Sequence, residues 1–264
     1  MNTTKGILQS VGRAVEVLKC FAEHGELGVT EVSKLMDLHK STTYGLIATL
    51  EAYKLLERSA VNEKYKLGIE LFRLGTKVKI DLKEIASPYL EQLANHYKET
   101  VHLVIRDDCH VLYLDKIESP HSMRICSRVG ERLPLFCTGV GKAILANLDE
   151  HEIKSVLDRT KLTKCTEHTI VKKNQLIEHL KKVQEQGYAE DSEELELGLH
   201  CIAAPIFDCN SKPLAAISVA GPVFRMTQEI QQEIIKTLIE VTSDISQKLG
   251  CQPKLSKTLE GSEE

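Results

Sequence analysis

The segment 29–67 limits what this chain can fold into more than any other part of it. Apolar residues at helical spacing, with Thr30 as the expected N-cap, predict a short helix, and residues 37–39 predict a tight turn. Ser41 is the expected cap of a second helix, and two short strands joined by a turn at 60–63 follow. An ordinary helical hairpin with a polar surface is the alternative. The complete order, however, predicts a winged helix-turn-helix, whose second helix enters the DNA major groove.

The two faces of the second predicted helix differ in chemistry. Its inward stripe holds Leu46, Ile47 and Leu50, whereas the opposite face carries small or hydroxyl-bearing residues. Such side chains allow a helix to lie close to base edges and phosphates, and basic residues of the hairpin are expected to face the sugar-phosphate backbone. The candidate DNA contacts are Lys40, Ser41, Thr42, Tyr44 and Gly45 in the helix, and Arg58, Lys64 and Lys66 in the hairpin.

The net charge of −4 argues against DNA binding at first, but the charges are unevenly distributed. Residues 1–80 hold 12 Lys and Arg against 9 Asp and Glu, which gives +3, and the remainder of the chain carries −7. A basic front and an acidic rear fit a DNA-binding head joined to a body that does not touch DNA. Because the surplus of +3 is small, tight binding would need a dimer or a larger assembly.

The composition is that of an ordinary globular protein, with 42% hydrophobic and 27% charged residues, and 264 residues are enough for two domains. The sequence shows no apolar run that could span a bilayer and no signal peptide, so a cytoplasmic protein is expected. The eight cysteines form no CxxC pair and are expected to be reduced and mostly buried. His102, Cys109 and His110 are too loosely spaced for a metal site, and no cofactor is expected.

The order of patterns divides the chain into four parts. Residues 1–68 form the predicted winged helix-turn-helix domain, and 69–81 form a linker helix. Residues 82–250 form an α+β domain, and 251–264 are expected to be a disordered tail.

Within the rear domain, the patterns predict mostly antiparallel strands flanked by helices. Pro88 predicts a kink or a restart in the first helix of this domain. Residues 102–119 predict two strands joined by a turn, and a further strand is expected at 124–129. Two more strands follow between 198 and 221, and a long amphipathic helix ends the domain.

Four stretches carry a resemblance to a known family: SVGRAVEVL, the winged head, RLPLFCTGVGKAILA, and EDSEELELGLHCIAAPIFD with AAISVAGP. Over about residues 8–250, the chain resembles the IclR family of bacterial transcription regulators. The resemblance implies a winged-helix head, a linker helix and a GAF-like effector-binding domain, assembled as homodimers or homotetramers on double-stranded operator DNA. Family members repress or activate catabolic operons in response to small metabolites, commonly carboxylates or aromatic compounds. We therefore expect a DNA-binding repressor of a catabolic operon.

The recognition helix departs from the family at one position. Family helices often read S-T-x-Y-R, whereas Gly45 follows Tyr44 in this chain. A glycine inside a helix costs about 1 kcal/mol relative to alanine, and it removes the contact that an arginine would make. Either this helix approaches DNA very closely or its neighbours provide the contacts, so the family's operator preference does not carry over.

The run TGVGK at 138–142 predicts a helix start whose free backbone amides and dipole favour an anion such as a carboxylate. A simple tight turn is the alternative, and the spacing is too short for a phosphate-binding loop. Cys201 and Ser218 lie on strands that are expected to pair, so both can point into one cavity. Taken alone, the patterns favour a solvated loop acid for Asp191 and a core position for Cys201.

The family resemblance implies instead that these residues line a ligand site. Related regulators that bind small keto acids tend to carry a second hydroxyl at the position of Ala220, so this chain offers one donor fewer there. The candidate effector-binding residues are Leu133, Gly139, Val140, Asp191, Leu199, Cys201, Ser218 and Ala220.

Two other functions are open at this point. A metabolic enzyme acting on a small acid, with an accessory helical head, would use Cys201 as the nucleophile and His200 as the base. Adjacent strand residues point to opposite faces, and no general acid, metal set or nucleotide motif completes such a site. A plain interaction module would assemble through the long C-terminal helix. We expect a regulator rather than an enzyme.

Overall fold

The computed structural model divides the chain into two compact units, Met1–Ile80 and Asp81–Glu264. It describes residues 8–75, 77 and 81–252. Within these residues, no helix is both long enough and apolar enough to cross a membrane.

The first unit is a winged helix-turn-helix, as the sequence predicts. Phe21 of the first helix, Val32 of the second and Ile47 of the third are buried together with Leu56 and Tyr65 of the wing. Leu27 pairs with Tyr65 through two backbone hydrogen bonds and so adds a third short strand position to the wing. The elements are α1 Gln9–His24, α2 Val29–Leu35, α3 Lys40–Ala52, β1 Leu56–Arg58, β2 Tyr65–Leu67 and α4 Ile69–Gly75.

The caps of the two central helices differ from the predicted ones. Helix α2 begins one residue before Thr30, and its N-cap is Gly28, whose amide donates to the Glu31 carboxylate at 2.6 Å. Helix α3 begins at Lys40, so that its N-cap is His39 and Ser41 lies inside the first turn. In α2 the prediction was wrong because Glu31 from within the helix occupies the start that the Thr30 hydroxyl was expected to cap. In α3 the helix begins earlier than predicted, and no side chain among the described residues caps its start.

The predicted linker helix at 69–81 is only partly within the described residues. Helix α4 covers Ile69–Gly75, Lys77 lies in a turn and Asp81 caps the next helix, while 76 and 78–80 lie outside the described residues.

The second unit is an α+β domain, and the predicted α+β class is confirmed. Its elements are α5 Leu82–Tyr97, β3 Thr100–Asp107, β4 His110–Ile117, β5 Arg132–Pro134, α6 Gly139–Leu145, α7 Glu150–Arg159, α8 Lys173–Gln186, β6 Ala189–Ser192, β7 Leu199–Phe207, β8 Pro213–Pro222 and α9 Gln228–Lys248. The six strands form one antiparallel sheet in the order β5-β4-β3-β8-β7-β6. Alternate residues of β7 divide between two helical layers. Ala203 packs with α6 and α8, whereas Ile202 and Ala204 pack with α5 and α9.

Three details of this unit correct the sequence prediction. The strand expected at 124–129 is wrong, because 124–128 form no ladder and the strand β5 follows at Arg132–Pro134. Helix α5 continues through Pro88 without a restart, because that residue is exposed and the carbonyl it leaves unpaired can face water. The short strand β6 was not predicted, since four residues give too little alternation to recognise.

The cysteines are less buried than predicted. Cys109, Cys137 and Cys201 are buried, but most of the others lie in loops or at helix ends where the chain meets solvent. The remaining five are Cys20, Cys126, Cys165, Cys209 and Cys251, of which the middle three are exposed. The predicted tail lies outside the described residues from 253 onward.

Candidate functional site

Helix α3 presents the predicted DNA-facing residues on one exposed surface. Thr43, Ile47 and Leu50 are buried on its inner side, while the outer side chain of Tyr44 is 59% exposed. This division follows from the 3.6-residue helical period, which places the apolar positions on one stripe. The exposed residues of the first turns are Lys40, Ser41, Thr42, Tyr44 and Gly45.

Gly45 is not required by the packing of the head. A β-carbon built at this position would meet no atom within 4 Å, and the Thr49 hydroxyl donates to the Gly45 carbonyl at 2.7 Å. The glycine therefore leaves bare backbone on the exposed side of α3, where another molecule can approach closely.

The wing does not bring its three basic residues to one face. In the ladder, Arg58 lies opposite Tyr65 and Lys66 lies opposite Glu57, so the two cations point to opposite sides. Arg58 also forms an ion pair with Glu63 at 3.2 Å, and Lys64 forms one with Glu31 of α2 at 2.9 Å. Lys66 is exposed and forms no ion pair with any residue that the structure describes.

The second unit contains a cavity of about 320 Å³ beside the start of α6 and the ends of β6 and β7. Seven of the eight predicted effector-binding residues line it, whereas Ser218 lies behind the wall and its hydroxyl is 3.3 Å from Nδ1 of His102. The lining residues that the sequence predicted are Leu133, Gly139, Val140, Asp191, Leu199, Cys201 and Ala220.

Several lining residues were not predicted from the sequence. His102 is fully buried in the wall, where its Nε2 atom is 2.8 Å from the Ser127 hydroxyl and its ring meets that of Tyr113 edge-on. Burial lowers the pKa of His102 to about 4, so the imidazole is neutral near pH 7. His102 could have been predicted from its position opposite Ser218 in the sheet, but that register requires knowing that β3 pairs with β8.

Asp191 is a buried acid of the cavity wall rather than a solvated loop residue. It lies on β6 opposite Cys201, and its Oδ1 atom accepts from the amides of Glu194 and Leu195 at 2.8 and 3.3 Å. Burial raises the pKa of Asp191 to about 6, because the loss of hydration outweighs the two amides and the nearby Lys142.

Thr138, Gly139 and Val140 form the opposite wall at the start of α6. The Thr138 hydroxyl accepts from the Gly141 amide at 3.1 Å, while the amides of Gly139 and Val140 precede the helical ladder and have no acceptor within it. A β-carbon at Gly139 would lie 3.2 Å from Sγ of Cys201, so the glycine allows the helix to approach β7.

Lys142 cannot serve a phosphate-binding loop. Its side chain is completely buried and forms an ion pair with the buried carboxylate of Glu194. Because the ammonium group is already engaged inside the core, the phosphate-loop alternative has no cation to offer a ligand.

Cys201 has no feature of an activated nucleophile. Burial raises the pKa of its thiol to about 12, which keeps it protonated. His200 points to the other face of the sheet, where its Nε2 atom lies 3.9 Å from the Glu190 carboxylate. The described residues also contain no group of three or more His, Cys, Asp or Glu side chains that could hold a metal ion.

A second cavity of about 320 Å³ lies between α8, α9 and β7. Two of its lining hydroxyls are already used, since Thr242 donates to the Leu238 carbonyl at 2.9 Å and Ser246 to the Thr242 carbonyl at 2.6 Å. These two hydroxyl protons are therefore not available to a ligand.

Comparison with known proteins finds two family models that match successive parts of this chain. The IclR helix-turn-helix domain model matches residues 10–60, and the model of the C-terminal domain of bacterial transcriptional regulator IclR matches 76–247. The HTH-type transcriptional regulator KdgR of Escherichia coli (strain K12) is 36% identical over 245 residues, which cover 92% of this chain and 93% of that protein.

Two further relatives agree with this match. The transcriptional repressor IclR of Escherichia coli (strain K12) is 32% identical over 250 residues, with 93% of this chain and 91% of that protein covered. The crystal structure of the Thermotoga maritima IclR superposes with a TM-score of 0.63 at 32% identity, covering 91% of this chain and 98% of that one. These relatives are named as regulators and not as enzymes.

Proposed function

The chain belongs to the IclR family of bacterial transcriptional regulators, and from this premise we propose that it represses a catabolic operon under the control of a small carboxylate. It is a DNA-binding regulator by family. A repressing role is supported by the Escherichia coli relative that is named a transcriptional repressor, and a catabolic operon by the family resemblance. Because its operator would be bacterial genomic DNA, we place the protein in the cytoplasm.

We propose that the exposed side of α3 enters the major groove. The support is a helix whose outer face holds Lys40, Thr42, Tyr44 and bare backbone at Gly45, with no packing role for that glycine. Lys66 would contact the phosphate backbone from the wing, whereas Arg58 and Lys64 would first have to leave Glu63 and Glu31. Ser41, exposed at the start of α3, would add a hydrogen bond to a DNA phosphate.

The effector would bind in the cavity at Asp191. The observation that carries this proposal is the gathering of residues from β4, β5, α6, β6 and β7 around one space of about 320 Å³. The amides of Gly139 and Val140 would donate to the carboxylate group, and Asp191 would accept from a hydroxyl of the ligand. Tyr113 can add a donor, because burial raises the pKa of its hydroxyl and keeps it protonated.

Assembly as a homodimer or homotetramer is part of this proposal. Apolar side chains are exposed on both outer helices of the head, including Val11 on α1 and Phe72 on α4, which is 71% exposed. Exposed apolar residues of this kind favour burial against a second copy. Light scattering coupled to size exclusion measures the assembly, and a monomer at micromolar concentration would contradict it.

The effector is tested by a thermal-shift screen of small mono- and dicarboxylic acids, sugar acids and aromatic acids on the full-length protein. A binding acid should raise the melting temperature of the wild type and release it from a promoter fragment in fluorescence anisotropy. Asp191→Ala should lose the shift, whereas Asp158→Ala, which removes an exposed acid paired with Lys173, should keep it. An acid whose shift is unaffected by Asp191→Ala would contradict binding in this cavity.

DNA binding is tested by footprinting on fragments of the regulator's own promoter region, where we expect a protected palindrome. Affinity should fall with salt, because phosphate contacts release counterions. Lys40→Ala should weaken binding to all sequences and reduce the salt slope by about one, and Tyr44→Ala should change which sequences are preferred. Binding that survives deletion of the first 80 residues would rule out the head as the DNA-binding domain.

A further inference from the structure

Strand β7 extends past the end of its edge partner β6. The last residue pair between the two strands joins Ala189 of β6 to Ala203 of β7. Just before β6, Gly187 caps helix α8, and its amide donates to the Val183 carbonyl instead of continuing the ladder. Of the strands that the structure describes, only β8 therefore pairs with residues 204–207, and their other side is an open edge of the sheet.

The carbonyl group of Pro205 points to this open edge. Along a strand, the backbone groups of successive residues turn to opposite sides, so alternate residues share a side. The Leu199 carbonyl lies on the β6 side, where it accepts from the Glu193 amide at 2.9 Å, and Pro205 falls on the same side. The Phe207 amide donates to the hydroxyl oxygen of Ser246 on α9 at 2.9 Å. Pro205 is buried and has no amide hydrogen, so it turns an acceptor but no donor to the edge.

The second cavity, of about 320 Å³, covers this open edge. Pro205 and Phe207 of β7 line one side of it, Gln184 of α8 a second, and Ile239 and Ser243 of α9 a third. Among its described lining residues there is no Asp, Glu, Lys, Arg or His. By contrast, three carboxyl groups line the proposed effector cavity, and the two cavities share no described lining residue.

The lining of the second cavity determines which ligand chemistry fits it. A charged ligand would lose its hydration there without meeting an opposite charge. A buried carbonyl without a strand partner favours a ligand that donates a hydrogen bond. The ligand has to supply this donor, because the nearby Thr242 and Ser246 hydroxyls already donate within α9. The Phe207 ring and the Ile239 side chain offer apolar surface to the rest of the molecule.

We propose that the second cavity is a binding site for a neutral, largely apolar small molecule that carries one N–H or O–H group. The donor of the ligand bonds to the Pro205 carbonyl, and its apolar body lies against Phe207 and Ile239. This site is separate from the proposed effector cavity and does not depend on the proposed function.

The experiment titrates full-length protein with indole, a neutral apolar molecule with one N–H group, in a calorimeter. Ligand fluorescence gives a second signal, because the chain has no tryptophan. We expect indole to bind about fivefold more tightly than N-methylindole, which lacks the donor of the one hydrogen bond. Indole-3-carboxylate should bind more weakly than indole, because its charge finds no partner. Equal binding of N-methylindole, or tighter binding of the carboxylate, would overturn the proposal.

Two variants of α9 test the position of the bound probe. Ser243→Tyr places a ring at the mouth of the cavity and should abolish measurable indole binding. Gln232→Tyr is the matched control, since Gln232 is exposed on the same helix and lies outside the cavity, and it should bind indole like the wild type. Unchanged binding by Ser243→Tyr would contradict the assignment.

Hydrogen exchange of the wild type locates the probe without any substitution. Indole should slow amide exchange in peptides that cover 184–187 and 239–247, and leave exchange at Gly139 and Val140 unchanged. Slower exchange at Gly139 and Val140 alone would place indole in the effector cavity and overturn the proposal. Binding that appears only after removal of residues 253–264 would show that the tail occupies the second cavity, which would overturn it as well.

Discussion

Replacing Asp191 by asparagine tests the protonation of the cavity. Asp191 is 1% exposed, and its pKa of about 6 compares with an ordinary value of 3.8. Between these two values the folded protein keeps a proton that the unfolded chain releases. The resulting stabilisation is complete below pH 3.8 and is lost as pH rises through 6, and its total is about 3 kcal/mol at about 1.4 kcal/mol per pKa unit.

His102 contributes with the opposite sign. Its pKa of about 4 lies below the ordinary value of 6.5, so between these two pH values the unfolded chain binds a proton that the folded protein does not. This contribution is present above pH 6.5 and is lost as pH falls through 4, again by about 3 kcal/mol. In the wild type the two contributions therefore nearly cancel between pH 4 and 6.

Asp191→Asn should remove the pH-dependent contribution of Asp191 to stability and leave that of His102. The amide oxygen of asparagine can still accept from the Glu194 and Leu195 amides, but the group no longer ionises. Relative to wild type, the variant should gain stability by about 3 kcal/mol as pH rises from 4 to 7, because only the wild type must then ionise a buried carboxyl.

Urea unfolding at closely spaced pH values measures this difference. The chain has no tryptophan, so far-UV circular dichroism and tyrosine fluorescence are suitable signals. Asp158→Asn is the matched control, since its acid is exposed and paired with Lys173, and it should show no gain at pH 7. A difference between Asp191→Asn and wild type that is flat with pH, or that falls as pH rises, would refute the reasoning.

Three further substitutions have definite expected results. Gly45→Ala should stabilise α3 by about 1 kcal/mol, which a higher melting temperature would show. The same substitution should weaken operator binding, measured by fluorescence anisotropy, because the helix backbone approaches DNA at this position. An unchanged affinity would exclude such a close approach. Lys142→Met should destabilise the second unit by about 3–5 kcal/mol in urea, because it leaves the Glu194 carboxylate buried without its partner, and a loss under about 1 kcal/mol would contradict this. Gly68→Ala should lower the melting temperature of the head, because the new β-carbon would lie 2.2 Å from the Lys54 carbonyl oxygen. The hydrogen-exchange protection of the second unit should stay unchanged. An unchanged melting temperature of the head would show that the backbone relaxes at Gly68.

Local patterns were enough to predict most helices and the central strands. The capped, amphipathic α9 begins after Thr227 as expected, and the hairpin of β3 and β4 turns at Asp108, whose φ of 57° is left-handed. These elements are visible because helical period, strand alternation and turn chemistry act within a few residues of each other.

The missing parts of the site depend on contacts between distant segments. His102 reaches the cavity only because β3 pairs with β8, whose Ser218 is 116 residues later. Similarly, the burial of Lys142 requires Glu194 from another segment, and no local pattern marks a lysine that will be enclosed. In the wing, the sequence predicted that the basic residues share one DNA-facing surface. The ladder register, which the sequence does not show, places Arg58 and Lys66 on opposite faces.

The acidity of Asp191 bears directly on the kind of ligand this cavity can hold. An ionised Asp191 would repel a carboxylate, yet a pKa of about 6 means that protonating it at pH 7 costs only about 1.4 kcal/mol. The negative charge of a bound carboxylate raises the pKa of Asp191 further, so Asp191 takes up a proton when the ligand binds. Neutral His102 does not compete for this proton, since its own pKa is about 4. Binding of the proposed effector should consequently take up a proton near pH 7 and tighten as pH falls toward 6, which a neutral ligand would not do.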